Sequence, residues 1–90
     1  MKSTSALRAL CRADLGPNQL SIHPNDGFDL GLMTTGYEVE LEGSVHAQLR
    51  LRNDCPKASV ELPLRLYESL GKPSMAVLRY DGTKLFIEPC

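Results

Sequence analysis

The sequence predicts an α+β fold, mainly β, made of antiparallel hairpins with a short N-terminal helix and a second short helix at 63–70. Three observations carry this expectation. Residues 37–52 alternate apolar and polar side chains in two successive runs, the period of half-buried strands. Asp81-Gly82 lies between two further apolar runs, a strong hairpin signal. Pro63 and Gly71 bracket Leu64, Tyr67 and Leu70, which have helical spacing between a favoured start and a favoured stop.

Taken in order, residues 3–13 place Leu7, Leu10 and Cys11 at i, i+3 and i+4, with Ser3 or Ser5 as a cap, so a short helix is expected there. Gly16-Pro17-Asn18 ends it. Leu20 to Ile22 reads as a strand. His23-Pro24-Asn25-Asp26-Gly27 reads as a turn, and Phe28 to Met33 as the returning strand. In the hairpin that follows, a three-residue loop Glu42-Gly43-Ser44 pairs Leu41 with Val45, Val39 with Ala47 and Tyr37 with Leu49. That register keeps one face apolar, whereas a two-residue loop would mix the faces. On the polar face Glu38 then lies opposite Gln48 and diagonal to Arg50, and Glu40 lies opposite His46. Asn53 to Lys57 is a loop and Ala58 to Leu62 a strand. After the helix, Met75–Tyr80 and Lys84–Ile87 pair across Asp81-Gly82, which sets Leu78 opposite Leu85 and Arg79 opposite Lys84. No repeat of solenoid length and no low-complexity tract is evident.

The 90 residues make one domain, 1–90, small enough that dimerisation would bury useful apolar surface. No apolar run reaches the ~20 residues needed to cross a bilayer, and the first ten residues are too short an apolar stretch for a signal peptide, so a cytoplasmic protein without a membrane partner is expected. Cys11, Cys55 and Cys90 show no pairing pattern, and Cys90 is expected to be exposed. Net charge is −1 but uneven: +2 over residues 1–19, −5 over 20–47, where no Lys or Arg occurs, and +2 over 48–90.

From Ala47 to Pro89 the order is strand, loop, strand, Pro-initiated helix, Gly stop, strand, Asp-Gly turn, strand. The strings SVELPLRLYESLG and MAVLRYDGTKLFIEP, with Leu62-Pro63, Leu70-Gly71 and Asp81-Gly82 at the junctions, resemble the swapped-hairpin AbrB family, which includes MazE-type antitoxins. The resemblance divides the domain into an acidic N-terminal extension, 1–46, and an AbrB-like half, 47–90. It implies an intertwined homodimer acting as a DNA-binding regulator, with Arg50, Arg52, Lys57 and Arg65 at the positions that touch DNA. Arg suits phosphate and guanine edges, and positive charge gains from counterion release. The bland alternative for these residues, with Arg79 and Lys84, is a solvated face partly neutralised by Glu38, Glu61 and Glu68.

A second expectation comes from the acidic stretch. Glu38, Glu40 and Glu42 form a carboxylate row suited to capturing a basic protein partner, which makes the chain an inhibitor or adaptor module. Catalysis is not expected: no Gly-rich phosphate loop, nucleophile elbow or paired carboxylates are present. His23, His46 and the three cysteines lack metal-ligand spacing, so neither a metal nor a cofactor is expected.

Overall fold

The computed structural model describes residues 1–90. Its elements are β1 (Lys2–Ser3), β2 (Leu7–Cys11), β3 (Gln19–Ile22), α1 (Pro24–Asp29), β4 (Gly36–Leu41), β5 (Val45–Leu51), β6 (Ser59–Leu62), α2 (Leu64–Ser69), β7 (Met75–Tyr80) and β8 (Leu85–Pro89). The fold is mostly strand with two short helices, as the patterning implies. One sheet runs β1-β7-β2-β6-β3-β5-β4, and β8 also pairs with β7. The sheet curls until its last strand meets the start of β8, where Glu40 N–H donates to the Thr83 carbonyl at 3.0 Å.

The chain is a tandem repeat with an offset of 40 residues. Strand β2 lies parallel to β6, with Arg8, Ala9, Leu10 and Cys11 facing Ser59, Val60, Glu61 and Leu62. Strand β5 lies parallel to β3, with Gln48, Leu49, Arg50 and Leu51 facing Gln19, Leu20, Ser21 and Ile22. Adding 40 to the β2 residues gives the β5 residues, and subtracting 40 from the β6 residues gives the β3 residues, so the two pairings are one pairing with the halves exchanged. Strands β3 and β6 meet antiparallel on the pseudo-twofold axis, where Ser21 faces Glu61. The helices obey the same offset, and each ends on a left-handed glycine, Gly31 at φ 76° and Gly71 at φ 83°. Only the outer strands depart from it. Leu7 faces Ala76 while Ala47 faces Val39, an offset of 37, because the stretch after Gly71 is three residues shorter than the one after Gly31. Over 7–31 and 47–71 only Arg12/Arg52, Asp14/Asp54, Leu30/Leu70 and Gly31/Gly71 are identical, which is why no repeat is evident in the sequence.

The core is drawn from both halves. Leu7, Leu20, Ile22, Leu49, Val60, Leu62 and Leu78 are fully buried. The central strands are covered on both faces, as parallel strands usually are. Ser21, Ser59 and Glu61 are therefore buried as well, on the side away from the aliphatic core.

Several sequence expectations need correction. Residues 3–13 form β1 and β2, not a helix. Leu7 is buried, Arg8 exposed and Ala9 half-buried, a strand pattern that the i, i+3, i+4 coincidence obscures. The slot between β7 and β6 satisfies the strand backbone, whereas so short a helix is marginal alone. Residues 23–33, expected as a turn and a returning strand, instead hold α1 at Pro24–Asp29 and no strand. His23 caps the helix, its Nδ1 accepting from Asn25 N–H at 3.0 Å, and Pro24 supplies the first helical φ. Pro63 likewise stands at the cap position of α2, one residue earlier than expected.

The hairpin over 37–51 has the expected register throughout, including Glu38 opposite Gln48 and Glu40 opposite His46. The β7–β8 hairpin does not. Its loop is Asp81–Lys84, pinned by Asp81 Oδ1, which accepts from Thr83 N–H (2.9 Å) and Lys84 N–H (2.6 Å). Tyr80 thus faces Leu85 and Leu78 faces Ile87, and Arg79 lies opposite Phe86 and 3.6 Å from Glu88 rather than opposite Lys84.

Gly27 shows how tightly α1 sits on the sheet, since a Cβ there would lie 2.5 Å from Leu51 Cδ2. Gly27→Ala is expected to destabilise the fold by about 1–3 kcal/mol despite its better helix propensity, through overpacking. Urea unfolding followed by circular dichroism measures this.

Candidate functional site

The densest polar constellation lies where β2 and β5 run out, on either side of the pseudo-twofold axis. At each end the motif Arg-x-Asp folds into the same fork. Arg12 Nε and Nη2 donate to the Asp14 carboxylate at 2.9 and 2.8 Å. Arg52 Nε and Nη2 donate to Asp54 at 3.0 and 2.6 Å. Both forks follow an arginine whose N–H donates across the axis, Arg12 to the Leu62 carbonyl and Arg52 to the Ile22 carbonyl, each at 2.9 Å. The bidentate geometry fixes both guanidinium planes. It holds the Asp14 and Asp54 carboxyls below the ordinary range, the side-chain hydrogen bond from the arginine being the main cause in each.

The forks differ in one respect. Arg12 also donates through Nη1 to Glu61 Oε2 at 2.6 Å, and Glu61 is buried. The symmetry mate of Glu61 is Ser21, which offers no charge, so Arg52 has no such partner. A buried carboxylate is costly unless paired, and Arg12 supplies that pairing. Beside it Cys55 is buried, its thiol donating to the Ser21 carbonyl at a long 3.7 Å. Burial chiefly, aided by the negative charges of Glu61, Asp26 and Asp54, pushes this thiol up to about 12. Such a thiol is protonated and a poor nucleophile near neutral pH. The cluster is a charge-compensated joint. It brings together no nucleophile and base, and no group of three or more His, Cys, Asp or Glu is placed to hold a metal.

The residues singled out from sequence are dispersed. Arg50 is exposed on β5 and Arg52, half-buried, is tied to Asp54. These two line one shallow hollow of about 480 Å³ together with Tyr37, Glu38 and Gln48. Arg65 lines a different groove, of about 530 Å³, with Glu42, Leu66, Leu70, Leu85 and Ile87. Lys57 is exposed in the β5–β6 loop and belongs to neither. No salt bridge joins Glu38 to Arg50; the ion pairs are Arg12–Asp14, Arg12–Glu61, Arg52–Asp54 and Arg79–Glu88.

The acidic row, by contrast, is assembled. Glu38, Glu40 and Glu42 follow the outward period of β4, alternating with buried Val39 and Leu41, and none makes an ion pair. Strand β4 ends the sheet, and its outer edge is met by other chain only at Glu40. Glu40 N–H points outward to Thr83 while the Thr35 carbonyl points inward to Leu51 N–H. By the alternation of strand hydrogen bonds, the N–H and C=O of Gly36 and Glu38 also point outward and face no strand.

The fork residues Arg12, Asp14 and Asp54 are not singled out from sequence, where Glu61 enters only as a neutralising charge and Cys55 only as a cysteine without metal-ligand spacing. Their only signal is Arg-x-Asp occurring twice at a 40-residue spacing. Comparison with protein-family models, characterised proteins and solved structures gives no match to this chain.

Three results are expected. Arg12→Ala leaves Glu61 buried without a partner and should lower the denaturation midpoint, a loss largely recovered by adding Glu61→Gln. Arg52→Ala breaks only the exposed fork and should lower the midpoint far less. Chemical denaturation of the four proteins decides this. For Cys55, the folded thiol ionises near 12 while the ordinary value is 9.0, so the folded state holds the proton more tightly. Its contribution to stability is full below pH 9 and lost as pH rises from 9 towards 12. The drop in urea midpoint between pH 8 and 10.5 should be smaller in Cys55→Ala than in the parent chain.

Proposed function

We propose that this protein is a non-enzymatic binding module that captures a basic, extended segment of a protein partner along β4. The observation that carries this reading is the open outer edge of β4 at Gly36 and Glu38, beside three carboxylates without ion pairs, Glu38 and Glu40 on the strand and Glu42 directly after it. An added strand takes affinity from main-chain hydrogen bonds and specificity from alternate side chains. With no Lys or Arg between residues 20 and 47, those side chains are Lys and Arg. An exposed, unpaired edge is otherwise a liability for self-association. The carboxylate row discourages pairing of β4 with a second copy of itself while leaving it available to a cationic strand.

A nucleic-acid-binding homodimer is the second reading. It draws on the resemblance of 47–89 and on the exposure of Arg50, Lys57 and Arg65, none of which makes an ion pair.

The test is titration of ¹⁵N-labelled protein with a ten-residue peptide alternating Lys and Val, and in parallel with a ten-base-pair DNA duplex. The module reading expects the peptide to shift the Gly36 and Glu38 amides, with affinity reduced at least ~10-fold by Glu38→Lys with Glu40→Lys and by raising salt above about 0.5 M. Shifts confined to Arg50, Lys57 and Arg65 on adding duplex, with none from the peptide, would replace it by the second reading.

A further inference from the structure

The open edge of β4 is short, and that shortness points to a second contact. Beyond Glu38 the next outward residue is Glu40, whose N–H is taken by the Thr83 carbonyl. Before Gly36, the N–H groups of Met33 and Thr34 both donate to the Tyr37 hydroxyl, at 2.8 and 3.1 Å. Gly36 and Glu38 are what is left to a visiting strand, and Tyr37 between them faces Leu49 of β5. Each main-chain bond contributes little net free energy, and ordering the residue that makes it costs a comparable amount. The attraction of solvent-exposed carboxylates is weak and screened by salt. Two residues of ladder therefore need an anchor elsewhere on the visiting segment.

A place for one lies beside the start of β4. Phe28 on α1 and Met33 in the loop after it are 69% and 80% exposed, two of the five large apolar side chains left open to solvent. Both line one hollow of about 250 Å³, together with the buried Leu32 and Leu51 and the loop residues Thr34 and Thr35. No charged residue lines it. It is smaller than the roughly 300–1,000 Å³ of a small-molecule site, so it suits a single side chain. Thr35 and Leu51 also line the hollow that holds Gly36 and Glu38, so the apolar site adjoins the open edge. The loop between them is already fixed by the Tyr37 hydroxyl and by the Thr35 carbonyl, which accepts from Leu51 N–H at 2.9 Å, so docking orders little that is loose. The fold does not demand the ring of Phe28: the equivalent position on α2 is Glu68, exposed to solvent. Exposed apolar side chains gathered at one place mark a contact surface.

We propose that the segment captured along β4 carries one large apolar residue at the end that lies against Gly36, and that this residue seats among Phe28, Leu32, Met33 and Leu51. The inference rests on the β4 reading and gives its partner a chemistry: alternating Lys or Arg beside Glu38 and Glu40, closed by a Phe, Leu or Met. The two parts follow from the surface itself. Residues 20–47 hold five carboxylates and no Lys or Arg, which selects the basic part, and the uncharged hollow at their edge selects the apolar one. Burial of the anchor supplies affinity, while the carboxylates set register and speed encounter.

The probes are the alternating Lys–Val ten-residue peptide and the same peptide with one Phe added at its N-terminal or at its C-terminal end, each titrated into ¹⁵N- and methyl-labelled protein. One of the two Phe peptides is expected to bind at least ~10-fold tighter than the plain peptide and to shift the Leu32 and Met33 methyls together with the Gly36 and Glu38 amides. Which of the two gains gives the direction of the added strand. Phe28→Ala with Met33→Ala should bring that Phe peptide down to the affinity of the plain one. If that variant fails to fold, the Leu32 and Met33 methyl shifts in the parent protein decide alone. Shifts at Gly36 and Glu38 from all three peptides, with no gain from either Phe or with a gain that survives in the double variant, would overturn the anchor and leave the β4 reading standing. Shifts at Met33 without Gly36 and Glu38, or no shift at any of these with millimolar peptide, would overturn both.

Discussion

The structure depends on the two parallel strand pairings, β2 with β6 and β5 with β3, which interlock the halves of the chain. Each half gives its first strand to the other half's second. Neither half has a core of its own: Leu7 and Leu20 come from one, and Leu49, Val60 and Leu78 from the other. A 90-residue chain buries a smaller share of its surface than a larger domain, and interlocking lets it wrap both faces of its central strands. The consequence is that positions 21, 59 and 61, which would face solvent on an ordinary two-layer sheet, are buried with polar side chains. Glu61 is tolerated there because Arg12 reaches it from across the axis.

The places where the repeat breaks are the places that distinguish one half from the other. Ser21 and Glu61 break it on the axis and give only Arg12 a second carboxylate. Asp26 and Leu66 break it on the helices, tying one helix to its neighbouring loop and leaving the other beside a groove. The acidic row breaks it on the outer strands. Glu38, Glu40 and Glu42 mark β4, whereas the corresponding strand β7 carries Arg79 beside Glu88 and is covered on both edges by β1, β2 and β8. The shared architecture is therefore scaffolding, and the proposed binding surface lies where the halves differ.

Much of this was legible where a local rule and the tertiary demand agree. The hairpin over 37–51 was read to its register because the alternation of Val39, Leu41, Ala47 and Leu49 permits only one pairing that keeps a face apolar. The helix bracketed by Pro63 and Gly71 was legible for the same reason. What was hidden is non-local. Strand β2 carries an accidental helical spacing, and only its place between β7 and β6 makes it a strand. Helix α1 is written in Pro, Asn, Asp and Gly, which equally describe a turn; Leu30-Gly31, the counterpart of Leu70-Gly71, was the clue. The acidic row could be read because it lies on one strand and the residue that follows it. The Arg12–Glu61 pair and the groove could not, because Arg12 and Glu61 are 49 residues apart and meet only through the parallel pairing, and the groove is lined from four separate stretches of the chain.

The resemblance of 47–89 to a swapped-hairpin half implies two chains, whereas here residues 7–41 supply the complementary strands within one chain. Light scattering on a sizing column, with reductant present because Cys11 and Cys90 are exposed, tests this most directly. An interlocked single chain predicts a monomer of 9.9 kDa at all concentrations. A stable species of twice that mass in reductant would contradict it, and would mean that the strands pair between chains rather than within one.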